Sequence, residues 1–256
     1  MAQNICIFLL AAYYYAQLGL SVAGSLLGMA LLTWSFVNGF YDGGLAFNTY
    51  GDVIFYLLAG LLLLRRQFGW ASIVAVLAVL NRETALLIPL LILFAGITFR
   101  PRWSLDRRAM RAALLAGFMS VTVFFGLRAY YGEQEFIAAY GHLPGLDLWA
   151  YNVSRRITWV QLLSTVNLLP VVALAAIRQW PSFLHRAFWC VVPIWLVVHI
   201  FFSAIAETRL LFVPIALVFI PAALVGAVKL RDRCASATSC EDQRDSWPSL
   251  AHSSPW

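Results

Sequence analysis

WASIVAVLAVLNRETALLIPLLILFAGIT, running from Trp70 to Thr98, is the stretch on which the fold turns. Asn81-Arg82-Glu83-Thr84 breaks two apolar arms at a depth where a membrane leaves an ion without water. An isolated charge there costs several kcal/mol, roughly, even on the gentler insertion scales, so it faces protein, trapped water or a lipid head group. Arginines bracket the stretch: Arg65 and Arg66 before it, and Arg100, Arg102, Arg107, Arg108 and Arg111 after it. Basic clusters collect on the cytoplasmic side of a membrane, so both belong on one side. The arms are about 15 residues each, roughly 22 Å as helix, so the chain rises and returns as a hairpin. Its tip, Asn81–Thr84, falls in the outer leaflet. One long tilted helix would put a basic cluster on the wrong side.

Composition agrees with a membrane setting. The 256 residues are 62% hydrophobic and 12% charged, with a mean hydropathy of +0.78. Repeated apolar runs of spanning or near-spanning length suit a polytopic helical protein. A β-barrel would show short alternating segments in place of runs such as Val53–Leu64 or Leu210–Leu230. The expected fold is all-α, a transmembrane bundle of about eight to nine membrane segments over residues 1–230, with a polar, disordered cytoplasmic tail over 231–256. Cys6, Cys190, Cys234 and Cys240 have no zinc-type spacing, so neither a metal, a cofactor nor a disulfide framework is expected. Nothing reads as a cleaved signal peptide.

In chain order, Ile5–Ala16 is about 12 residues, roughly 18 Å of helix, too short for a hydrocarbon core of about 30 Å. Either it lies partly in the interface, with Tyr13, Tyr14 and Tyr15 at head-group level, or an N-terminal portion is missing; the second is the expectation. Val22–Val37 carries Gly24 and Gly28 in a small-xxx-small pattern that permits close helix approach. Asn38–Gly44 is a turn-rich loop, and Leu45–Leu64 spans down to Arg65. After the hairpin, Ala112–Tyr131 goes out and Gly132–Ile157 forms the longest outer loop. Thr158–Ile177 returns, Ala187–Ala206 goes out, and Leu210–Val228 comes back to Lys229, Arg231 and Arg233. The C-terminus is thereby cytoplasmic.

Of the 18 Lys and Arg residues, only Arg82, Arg128, Arg155, Arg156 and Arg209 fall on the outer side. Orientation accounts for the net charge of +6, so nucleic acid is not an expected partner. Glu133, Glu135 and Asp147 read as solvated loop carboxylates. Asp52, Glu83 and Glu207 have apolar surroundings. His199, Ser203 and Glu207 recur at i, i+4 and i+8, as do Asn48, Asp52 and Tyr56, which puts each set on one helix face. Asn48, Asp52, Asn81, His199 and Ser203 are therefore expected to line a polar cavity. Asp52 lies about 20 Å above Arg65 at helical rise and Arg82 about 18 Å above Trp70, so the two meet at one depth. A purely structural ion pair locking helices together accounts for these charges equally well.

Tyr41-Asp42, a span ending in Arg65-Arg66, Leu80-Asn81-Arg82-Glu83-Thr84-Ala85-Leu86-Leu87 and Glu207-Thr208-Arg209-Leu210-Leu211 resemble the multi-span C-type glycosyltransferases. These mannosyltransferase-like proteins take a sugar from a polyprenyl phosphate. The likeness covers roughly residues 10–230. It implies an integral protein of a prokaryotic cytoplasmic membrane that transfers sugar at the outer face, with membrane lipid and a lipid-linked sugar as partners. Arg82 and Arg209 would hold the lipid phosphate, and Asp42, Glu83 or Glu207 would orient them or take an acceptor proton. In that family an Asp-bearing loop between the first two spans supplies the base. No such loop stands ahead of residue 38, and Asp42 follows the wrong span, so the resemblance implies a truncated and inactive fragment if the missing portion held the base. The competing reading is a transporter or lipid flippase whose pathway these charges line.

Overall fold

A computed structural model describes residues 2–41, 47–98, 104–132 and 141–245. The architecture is helical: α1 (Ala2–Gln17), α2 (Val22–Tyr41), α3 (Phe47–Leu64), α4 (Phe68–Val79), α5 (Leu87–Ala95), α6 (Arg107–Tyr131), α7 (Leu146–Ser154), α8 (Arg156–Val166), α9 (Leu169–Ala175), α10 (Ser182–Phe202), α11 (Phe212–Pro214) and α12 (Ile220–Asp245). A two-residue antiparallel ladder pairs β1 (Ile97–Thr98) with β2 (Ser104–Leu105). It turns the chain from α5 into α6, where Asp106 caps α6 by accepting from Arg108 N at 2.8 Å.

Five helical segments are long and apolar enough to cross a membrane, and α8 with α9, bent by 60°, makes a sixth if the pair counts as one span. This composition is compatible with an integral membrane protein. The eight to nine membrane segments expected from sequence include α1 and the two hairpin arms, which are too short to count as spans. They are nonetheless packed: Ile7, Ala11, Tyr14 and Tyr15 of α1 are fully buried, as are Ile88, Leu91 and Ile92 of α5.

The hairpin forms as its flanking arginines require. Ser72 Oγ near the start of α4 donates to Ala112 O near the start of α6, and Arg186 Nη1 donates to Ala95 O at the end of α5 at 2.8 Å. Lys229 Nζ donates to Gln179 O at 3.0 Å. These contacts gather Arg66, Arg108, Arg111, Arg178, Arg186 and Lys229 at one end of the bundle, the basic end. Asn81–Thr84 and Glu207–Arg209 stand at the other, the polar end. The chain leaves α3 through Arg66, whose φ of 56° is left-handed. Arg66 N and Gln67 N close the helix onto Leu63 O and Leu62 O. This is the cap position that glycine usually fills, and a side chain there costs about 1–2 kcal/mol.

The last span is irregular for a readable reason. Pro221 has no N–H to offer the turn before it, and a π-helical segment, Ile215–Phe219, precedes it. Tyr14 donates to the freed Leu217 O at 2.9 Å and Tyr15 to Ala216 O at 3.1 Å. Tyr14 and Tyr15, which the interfacial alternative puts at head-group level, are fully buried hydrogen-bond donors. A continuous apolar run hides this demand, because freed carbonyls become visible only when the partner helix is placed. Tyr13 alone of the three is exposed, beneath the Arg65 guanidinium. Of the small-residue pair, Gly28 carries the close approach: a Cβ there would stand 2.7 Å from the Tyr15 ring. Gly24 faces its own segment. The expected disordered tail begins as helix, since α12 runs on to Asp245, and residues 246–256 lie outside the described ones.

Candidate functional site

Asp52 is the centre of the polar end. It sits on the second turn of α3 with only 3% of its side chain exposed. Asn81 Nδ2 donates to Asp52 Oδ1 at 2.8 Å and to Asn48 O at 2.8 Å, so both amide hydrogens are used on α3. Arg82 Nη1 and Thr84 Oγ1 each stand 3.5 Å from Asp52 Oδ2. Three of the four tip residues thus converge on one carboxylate, as the depth argument requires. The short bond belongs to Asn81; the Arg82 contact is long for a charge-assisted hydrogen bond though within ion-pair range. Gly51 makes the approach feasible, because a Cβ there would overlap the Asn81 amide, 2.8 Å from its Cγ.

A second line of contacts joins this tip to the later charged turn. Tyr56, one turn below Asp52, donates to Thr84 O at 2.7 Å. Its ring meets Trp195 edge to face at 5.5 Å, and Trp195 Nε1 donates to Leu210 O at 2.7 Å. His199 stacks on Trp195 at 5.0 Å, with Nδ1 2.8 Å from Trp195 O. A carbonyl only accepts, so Nδ1 carries hydrogen and Nε2 of the neutral ring is the acceptor. His199 is buried and feels the charges of both Arg82 and Glu83. Trp195 is absent from the expected site because a tryptophan in an apolar span reads as packing until its indole N–H finds a carbonyl.

The face drawn through His199, Ser203 and Glu207 does not survive as a helix face. The α10 helix stops at Phe202, and Ser203 is extended, with φ −142° and ψ 157°. Asn152 of α7 ends it: Nδ2 donates to Ile200 O and Ser203 O, both at 2.9 Å, while Oδ1 accepts from Ile205 N. The carbonyls an ended helix leaves open are met by one buried amide. Glu207 turns back on Arg209, with 2.6 Å between Oε2 and Nη2. Next to them Thr165 Oγ1 donates to Thr208 Oγ1 at 2.7 Å, both residues buried. Asp42, Glu133 and Glu135 lie outside the described residues. Asp147, in the first turn of α7, stands apart from the site: the Leu143 N–H and His142 bind its carboxyl and hold it below the usual carboxylate range.

In front of the tip lies a cleft of about 840 Å³ between the hairpin and the far end of α6. Val79, Asn81, Arg82 and Glu83 line it from the hairpin, and Phe124, Leu127 and Arg128 from α6. Asp52 stands behind Arg82. Arg128, whose guanidinium lies 5.0 Å from the Phe124 ring centre, is the residue sequence reading missed, since it falls in the last turn of a long apolar span and reads as an interface anchor. Glu83 is exposed. Two guanidinium groups and a carboxylate beside an apolar wall can take a phosphate whose ester continues as hydrocarbon. Among the described residues no group of three or more His, Cys, Asp or Glu side chains is placed to hold a metal ion.

Compared with known proteins, the chain matches no family model, and no curated protein and no solved structure gives a match.

Proposed function

We propose that this protein is a glycosyltransferase-like membrane enzyme that binds a polyprenyl-phosphate sugar in the cleft at the polar end. The observation that carries the reading is the lining of one cleft by Arg82 and Glu83 from the hairpin tip and by Arg128 from α6, beside the apolar Phe124 and Leu127. The basic end then faces the cytoplasm by the arginine rule, and the cleft opens at the outer face. On this reading the chain sits in a prokaryotic cytoplasmic membrane with its C-terminus inside.

In the proposed reaction Glu83 takes the proton of an acceptor hydroxyl. The acceptor oxygen bonds to the anomeric carbon as the bond from that carbon to the phosphate oxygen breaks, and polyprenyl phosphate leaves with the electron pair. Arg82 and Arg128 meet the charge that gathers on the leaving phosphate. Arg128 takes the place that the resemblance implies for Arg209, which pairs with Glu207. Asp52 positions Arg82 from behind and touches no substrate.

The test is binding of a polyprenyl phosphate to the purified full chain by native mass spectrometry. Arg82→Lys and Arg128→Lys should each weaken binding about tenfold or more, because a charged hydrogen-bond pair is worth about 1.5–3 kcal/mol and lysine lacks the planar fork. Glu83→Gln should leave binding intact and abolish release of sugar from a polyprenyl-phosphate sugar. Equal binding by wild type and both lysine variants overturns the proposal. Movement of the lipid between leaflets without cleavage of the sugar bond overturns it in favour of a transporter.

A further inference from the structure

The basic end carries a second groove, of about 1040 Å³, between α4 and α6. Arg66, Arg108 and Arg111 line its mouth, and Ile73, Leu77 and Leu115 line its length. All three arginines are exposed, and among the described residues none of them is in a salt bridge. The neighbouring Asp106 spends an oxygen on capping α6. Arg66 also lies within electrostatic range of Arg186, so the end gathers like charges that repel one another. Ile73, Leu77 and Leu115 are about half exposed, at 50%, 48% and 60%. From Phe68 to Leu77 the helix rises about 14 Å, close to the roughly 15 Å hydrocarbon depth of one leaflet.

We propose that this groove is a binding site for an anionic glycerophospholipid, its phosphate held by Arg66, Arg108 and Arg111 and one acyl chain lying between α4 and α6. The charge is complementary: three cations line a groove whose other side chains are mostly apolar, where a zwitterionic lipid offers no net charge to balance them. Arg66 occupies the left-handed cap position of α3, a conformation that the closing bonds to Leu63 O and Leu62 O account for. Where glycine would close the helix without a side chain, arginine adds a cation to the groove lining. The site is separate from the polar-end cleft and does not depend on the transferase reading.

The test is retention of phosphatidylglycerol against phosphatidylcholine by the full chain, extracted from bilayers containing both and weighed intact by native mass spectrometry. Wild type should retain phosphatidylglycerol preferentially, and each of Arg66→Gly, Arg108→Gln and Arg111→Gln should lower that preference roughly fivefold. Arg66→Gly should melt no lower than wild type, since it relieves a left-handed residue, so its loss of lipid cannot be put down to unfolding. Leu115→Trp should exclude the acyl chain and abolish retention. Arg231→Gln, at the same end but outside the groove, should leave it unchanged. The proposal is overturned if Arg66→Gly retains the lipid as wild type does, if Arg231→Gln loses it equally, or if millimolar inorganic phosphate displaces it.

Discussion

Arg82→Gln is expected to destabilise the protein by about 3–5 kcal/mol, more than Asp52→Asn does, although the two side chains form one ion pair. The asymmetry follows from burial. Asp52 is 3% exposed and Arg82 24%, so loss of the guanidinium strands a carboxylate that has no water to turn to. Loss of the carboxylate charge leaves Arg82 free to turn into the cleft. An asparagine at position 52 also keeps an oxygen for Asn81 Nδ2, the shorter of the contacts. The double variant Arg82→Gln/Asp52→Asn should recover most of the stability lost in Arg82→Gln. Thermal or denaturant unfolding of the three variants in one detergent measures this cycle. If the double variant is as unstable as the sum of the singles, the two residues do not act as a pair.

The second large effect belongs to a residue with no side chain. Gly51→Ala should cost about 2–4 kcal/mol, because its methyl group takes the space of the Asn81 amide and breaks the bonds to Asn48 O and Asp52 Oδ1 together. The consequence is release of the tip from α3. If that is the cause, Asn81→Ala should cost a similar amount, and adding Gly51→Ala to Asn81→Ala should cost little more. A full additional loss in the double variant would place the strain of Gly51→Ala elsewhere, in helix packing. Lipid-phosphate binding should fall in parallel with tip release, since Arg82 is then held on one side only.

Much of this arrangement can be read from the residues, for identifiable reasons. The meeting of Asp52 with Asn81 and Arg82 follows from helical rise, from arginines at each foot of the hairpin, and from the cost of an unpaired charge in an apolar setting. Those are one-dimensional facts. The residues missed are those whose role depends on a neighbour far along the chain. Tyr14 and Tyr15 are indistinguishable from interface tyrosines until Pro221 is placed beside them, at a separation of about 200 residues. Trp195 and Arg128 read as packing and anchoring until a carbonyl and a cleft are seen next to them. The spacing of Ser203 fits a helix face, yet α10 ends one residue before it, where Asn152 binds the Ser203 carbonyl. Periodicity describes a helix that continues, and nothing in the sequence of α10 itself announces the stop.

Whether the tip and the basic end lie on opposite faces of the membrane decides the account. Cysteines placed singly at Glu83 and Ser104, both exposed, in a chain with its own cysteines replaced, can be labelled in sealed membranes with a maleimide that cannot cross the bilayer. The cysteine at Glu83 should react from the outside and the one at Ser104 only after the cytoplasmic face is opened. Reaction of both from the same side would contradict the account.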